Sequence, residues 1–151
     1  MPAPIHVAGD VLTAANYNQL PRAQMGYASI TASQGSITAE TDLTGLSVTW
    51  TSPATRLIRT TITVEVGSTV AGDVAELKLT DGSNTQITRS VQYISSTGAA
   101  TVKMVLVHIE TVTSGSKTRK ARLNRQGTGT LTASAFANAP AFIVVEDIGA
   151  P

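Results

Sequence analysis

The hydrophobic pattern of the chain is dominated by short stretches in which apolar and polar residues alternate with a period of two, separated by Gly, Asn, Asp and Ser. That period places successive side chains on opposite faces of an extended strand. The pattern predicts strands over Tyr27 to Ser33, Leu46 to Thr51, Arg56 to Val66, Val74 to Thr80, Thr85 to Ile94, Ala100 to Thr111, Lys117 to Arg125, Thr130 to Ala135 and Ala141 to Ile148. Regular spacing of eight or nine such segments is the signature of an antiparallel sandwich or barrel. The clearest turn is Thr80 to Thr85, where Asp81, Gly82, Ser83 and Asn84 supply residues that tolerate positive φ.

Two stretches depart from simple alternation. In ATVKMVLVHIE, Val102, Met104, Leu106 and His108 share one face and Val105, Val107 and Ile109 the other, so both faces are mainly apolar. In AFIVVEDI, Phe142, Ile143, Val144 and Val145 are contiguous. A strand covering a single core shows one polar face, so both segments are expected to be buried on two sides, once in their own core and once against another copy of the chain. The expected interface residues are Val102, Met104, Leu106, His108, Phe142 and Val144. Fully burying an aliphatic or aromatic side chain is worth roughly 1.5 to 3 kcal/mol, enough in sum for a permanent association.

In Arg56 to Val66, the set Ile58, Ile62, Val64 and Val66 is expected to face the core, opposite Leu57, Arg59, Thr61 and Thr63. In Val74 to Thr80 a core set of Val74, Leu77 and Leu79 requires a bulge. Residues 1–26 read differently. Pro2, Pro4 and Gly9 imply an extended arm, and Thr13 can cap a short helix over Ala14 to Leu20 ahead of Pro21. The division is therefore an arm and short helix over 1–26 and a β-sandwich over 27–151.

Composition sharpens this picture. The chain has 151 residues, enough for one domain with a real core. Its net charge of +1, with 14% charged residues, writes no general nucleic-acid footprint into the balance. There is no cysteine, which excludes disulfides, thiolate metal sites and cysteine nucleophiles. The amino terminus carries no basic region followed by an apolar run, and no apolar stretch approaches the ~18 residues of a membrane span, so synthesis in the cytosol without membrane contact is expected.

Candidate chemistry is sparse. The histidines are His6, on the arm, and His108, and no Gly-framed serine accompanies either, so no enzymatic activity is expected. If His108 lay at a symmetry axis, its protonated copies would repel and loosen the oligomer in acid. Trp50 is expected to pack rather than serve as a ligand platform. The acid pairs Glu40 with Asp42, and Glu146 with Asp147, could hold a cation, but adjacent acids of this kind are commonly solvated or salt-bridged; no metal or cofactor is expected. The densest basic cluster is Lys117, Arg119, Lys120, Arg122 and Arg125. On a strand it splits between two faces, serving either to protect an edge or to contact an acidic protein or anionic glycan. No aromatic residues interleave it, which argues against nucleic acid.

The segment HVAGDVLTAANYNQLPRAQMGYA, with Gly9, Leu12, Thr13, Ala14, Ala15 and Asn18, resembles the amino terminus of small structural proteins from tailed phages of actinobacteria. The ending TLTASAFANAPAFIVVEDIGAP, with Pro140, Ala141, Phe142 and the run Val145 to Gly149, is similar to the carboxyl terminus of the same group. This resemblance implies a jelly-roll-like sandwich on the plan of the tumour-necrosis-factor and complement C1q trimers, with one sheet of each protomer packed around a threefold axis. It further implies a place on the virion, either as a head decoration protein bound to the major capsid protein or as a minor tail or receptor-binding protein contacting host glycan. Particle docking would then fall to the arm through Ile5, Val7, Val11, Leu12, Tyr17 and Leu20.

Overall fold

Strand alternation sorts the chain into two antiparallel sheets that face each other across one apolar layer. The computed structural model describes residues 23–97 and 101–151. Within them run β1 (Ala23–Ile30), β2 (Gln34–Ile37), β3 (Thr41–Ser52), β4 (Arg56–Ser68), β5 (Val74–Asp81), β6 (Gln86–Tyr93), β7 (Val102–Val112), β8 (Gly115–Gln126), β9 (Leu131–Ser134) and β10 (Ala141–Gly149). Every strand expected from the pattern is present, and the first begins at Ala23 rather than Tyr27. The expected arm and helix over Ala14 to Leu20 lie outside the described residues.

The first sheet is organised by β4. One of its edges pairs with β7 from Arg56 to Val66; the other pairs with β10 over 57–63 and then with β9 over 65–68. Outside these, β1 pairs with β10 and β2 with β9. The sheet is thus four strands wide, with two of its strands interrupted. The second sheet runs β3-β8-β5-β6.

The inward register of β4 (Ile58, Ile62, Val64, Val66) and of β10 (Ile143, Val145) is buried, as expected, against Leu46, Val48, Trp50, Leu77, Leu79, Ala121 and Leu123 of the second sheet. In β5 the core set is Ala75, Leu77 and Leu79, with Val74 turned outward, so the strand needs no bulge to bury its leucines. Strand β2 was not anticipated: Gln34, Gly35 and Ser36 carry no apolar alternation, and Ile37 alone is buried. Its partner β9 supplies the template instead. The hairpin forms where expected. Asn84 adopts φ +67°, and Asp81 Oδ1 accepts from the Ser83 and Thr85 amides at 2.9 and 2.8 Å.

Two polar devices and one close packing contact fix this arrangement. Arg56 and Asp147 sit on inward registers, and Arg56 Nε donates to Asp147 Oδ2 at 2.8 Å in an ion pair that is almost wholly buried. Gly26 lets β1 lie against β3, because a Cβ there would stand 2.1 Å from Val48 Cγ1. At the far end, buried Asp73 joins two connections by accepting from Ser68 Oγ at 2.6 Å and from the Thr128 and Gly129 amides at 3.0 Å. A Cβ on Gly129 would fall 2.3 Å from that carboxylate.

The Ser68 hydroxyl, then the Gly129 and Thr128 amides, hold the Asp73 carboxyl below the usual carboxylate range against the opposing pull of burial. Where the unfolded chain takes up a proton that the folded chain refuses, stability falls with pH. The contribution of Asp73 is therefore complete above the ordinary aspartate range and lost as pH drops through its lower folded value. We expect Asp73→Asn to cost about 1–3 kcal/mol at neutral pH. Urea denaturation at pH 7 and pH 3 should show a smaller loss with acid in the variant than in the parent; equal losses would remove Asp73 from this role.

Candidate interaction surfaces

The two sheets turn faces of different character outward, the first richer in apolar residues and the second in charges, with Val91 and Tyr93 exposed on β6. On the first sheet, pairing brings outward side chains into rows. Ser29, Phe142, Thr63 and Val105 form one row, and Tyr27, Val144, Thr61 and Val107 the next. Ile109 lies opposite Arg59, whose Nε donates to Glu146 Oε2 at 2.9 Å. Tyr27 and Phe142 stack with ring centroids 6.1 Å apart. Tyr27, Val105, Val107 and Ile109 are each 50–56% exposed, so apolar side chains meet solvent on β1, β10 and β7, with Thr61 and Thr63 of β4 between the last two. Scattered apolar residues are normal on a protein surface, but a contiguous patch edged by polar groups marks an interaction site.

This corrects the assignment of faces on β7. Pairing of Thr60 with His108, Ile62 with Leu106 and Val64 with Met104 puts the even-numbered residues on the core side. Met104 and Leu106 are buried within the protomer, Val102 packs partly against the same core, and His108 is half-buried in that register. The residues left for a partner are Val105, Val107 and Ile109, together with Phe142 and Val144, which do face outward. With His108 on the inward register, acid loosening of an interface through that residue has no geometric basis. The docking residues Ile5, Val7, Val11, Leu12, Tyr17 and Leu20 lie outside the described residues.

The basic cluster of β8 divides by register as alternation requires. Outward, Lys120 Nζ donates to Asp42 Oδ2 at 2.9 Å and Arg122 Nε to Asp42 Oδ1 at 2.5 Å, while Arg122 also reaches Glu40. Lys78 Nζ joins Glu40 at 2.6 Å. Glu76, although on the outer face, is buried beneath Arg89, Asn124 and Gln126, all donating to it. The Lys78 hydrogen bond, followed by the Arg122 charge, lowers the Glu40 carboxyl; the Lys120 hydrogen bond, then that of Arg122, lowers Asp42. On the inward register Arg119 is buried over the Trp50 ring at 5.6 Å and grips Glu110 with two hydrogen bonds of 2.7 and 2.8 Å. Arg125 donates to the Gly129 carbonyl, and Lys117 Nζ to Thr113 Oγ1 at 3.1 Å.

The cluster is therefore answered from within. The carboxylates for Arg119, Lys120 and Arg122 come from Glu110 on β7, Asp42 on β3 and Glu40 just before it, so the cations alone suggested an anionic partner that the fold supplies for these three. Trp50, only 5% exposed, is a core residue, as its strand position suggested.

No family model and no curated protein matches the chain. Among solved structures it is similar to Eiger TNF from S. frugiperda, at 10% identity and a TM-score of 0.53, over 86% of this chain and 96% of that one. This likeness concerns the fold: an all-β, jelly-roll-like sandwich of two antiparallel sheets. The chain also aligns with the infectious bursal disease virus VP2 subviral particle at 12% identity and a TM-score of 0.45, over 86% of its length, and spans 38% of the VP2 chain.

Position along β8 should set the cost of losing a cation. Arg119→Ala strips a bidentate partner from Glu110 and a planar cation from Trp50, and is expected to cost about 2–3 kcal/mol. Lys120→Ala removes a solvent-screened pair and should cost under about 1 kcal/mol. Chemical denaturation of the two variants tests this ordering.

Proposed function

We propose that the protein is a non-enzymatic structural component of a tailed-phage virion, a head decoration protein that binds the capsid exterior as a homotrimer. The observation that carries this reading is the exposed apolar strip of β1, β10 and β7 on a molecule whose opposite sheet has paired its charges. Such a protomer has one surface richer in apolar residues and suited to association, and one that is mainly charged apart from Val91 and Tyr93 on β6. Three copies placing this sheet around an axis would cover Val105, Val107, Ile109, Phe142 and Val144 at once, in keeping with the trimeric plan that the end motifs imply.

The carboxyl-terminal motif supports the reading in a second way. Its residues build the sheet concerned: Val145 enters the core, Glu146 pairs outward with Arg59, and Asp147 pairs inward with Arg56. A resemblance carried by these positions is a resemblance in the element that presents the strip. The amino-terminal motif ends within β1, and its residues before Ala23 lie outside the described residues.

The proposed action is cementing by mass action. A protein that binds only the assembled shell stabilises that shell by RT ln(1 + c/Kd) per site, where c is its free concentration. The adhesin alternative gains no support at the sites first considered for it, since Trp50 is buried and the basic residues of β8 have partners.

Immunogold electron microscopy of intact particles, with antibody to the purified sandwich, tests location: label over the head is expected, and label confined to the tail tip would reject decoration. Removing residues 1–22 should abolish incorporation into particles while leaving the sandwich folded. Val107→Asp would place an unpaired carboxylate in the middle of the strip in every copy. It should weaken self-association by about a hundredfold or more without altering the circular dichroism of the protomer. Sedimentation equilibrium reads the result, and an unchanged trimer would move the interface elsewhere.

A further inference from the structure

Beyond Thr63 and Phe142, where β9 replaces β10 beside β4, the first sheet's outer face changes from apolar to hydroxylated. Pairing sets Gly67 opposite Thr132 and Glu65 opposite Ser134. Gly67 has no side chain to fill its outward position, and a cavity of about 300 Å³ opens over it, walled by Thr132, Ser134, Thr69 and Thr101 and edged by Phe136. That volume lies at the lower end of the range in which small-molecule sites fall, roughly 300–1,000 Å³.

Its chemistry is specific. The hydroxyls of Thr132 and Ser134 have no hydrogen-bond partner among the described residues. Thr69 Oγ1 accepts from the Thr130 amide at 2.8 Å and keeps its own proton to donate. Thr101 Oγ1 donates to Glu65 Oε2 at 3.1 Å and keeps its lone pairs to accept. The wall therefore offers both donors and acceptors, while no cationic side chain lines it. At the rim Phe136 is 52% exposed. Its backbone is held in place, because Phe136 and Ala139 exchange two backbone hydrogen bonds of 3.1 Å across a tight turn. An aromatic face fixed beside a set of neutral hydroxyls matches a sugar ring, whose C–H face stacks on the aromatic while its hydroxyls meet the wall. The cleft between the Asp81 to Ser83 turn and Lys117 to Arg119 lacks this character, being lined by charges that include the Glu110 and Arg119 pair.

We propose that the cavity over Gly67, edged by Phe136, is a binding site for one neutral hexose unit of a saccharide. The proposal is independent of the virion reading: it needs neither an oligomer nor a particle, and its residues are separate from the strip centred on Val107.

The test is saturation-transfer NMR on the full chain with methyl glycosides of glucose, galactose, mannose and rhamnose, with methyl glucuronide as a charged control. At least one neutral glycoside should receive saturable transfer at millimolar concentration, and the glucuronide none. Phe136→Ala should weaken that binding about tenfold, and Thr132→Val, which keeps the side-chain shape and removes the hydroxyl, by a smaller but measurable factor. Both variants should match the parent in melting temperature and sedimentation, and if Phe136→Ala fails this control, Thr132→Val decides. Absence of transfer to every neutral glycoside, or transfer that the folded variants leave unchanged, overturns the proposal.

Discussion

A β-sheet presents two faces, and the alternation of side chains forces each strand to serve both. In β7 and β10 both sets are rich in apolar residues, yet a single protomer can bury only one. Pairing with β4 decides which. Once Ile62 is fixed inward by the core, Leu106 and Ile143 beside it must follow, and Val107 and Val144 must point away. A slip of one residue in either pairing would exchange the sets. The outward strip is thus a consequence of register, and β4, paired along both edges, is the element that enforces it.

The second sheet meets the same geometric demand with the opposite chemistry. Its inner face carries Leu77, Leu79, Ala121 and Leu123, and its outer face carries Glu40, Asp42, Glu76, Lys78, Lys120 and Arg122 in contact with one another. Each exposed pair contributes little alone. Together with Arg89 they make that face mainly charged, and Val91 and Tyr93, exposed opposite Glu76 and Val74, give it a small apolar edge on β6. The molecule is polarised between its two sheets rather than between its two ends.

Much of this was legible in the alternation. The strands, the Asp81 to Asn84 turn, the inward set of β4 and the two-sided character of β7 and β10 all follow from period-two patterning, which is local. What stayed hidden depends on contacts between segments far apart. Sequence could show that β7 had two apolar faces, but the choice between Met104 and Val107 as the inward residue is made by β4, some forty positions away. The basic cluster looked like a site because its counter-ions lie elsewhere: Glu40 in the connection before β3, Asp42 on β3 and Glu110 on β7. Strand β2 went unseen because its existence rests on pairing with β9 rather than on its own residues. The Phe136 cavity gave no sequence signal either, since scattered serines, threonines and a glycine mean nothing until β4, β9 and the ends beside them are brought together.

The interruption of the first sheet is what allows one face to carry two surfaces. Had β9 and β10 formed a continuous strand, the apolar rows would run on past Phe142, and Phe136 would lie flat within them. The turn from Phe136 to Ala139 instead breaks the row and lifts one aromatic ring to the rim, where it meets the hydroxyls of β9. Asn138 and Pro140 suit the chain to that break, since neither favours a continuing central strand. At the opposite end of the apolar rows the Arg59 and Glu146 pair closes the strip with charge. An apolar surface bounded by an ion pair on one side and a change of strand on the other has a defined size. Defined edges of this kind favour a closed assembly over open-ended aggregation, because an apolar sheet face without them would tolerate many registers of packing.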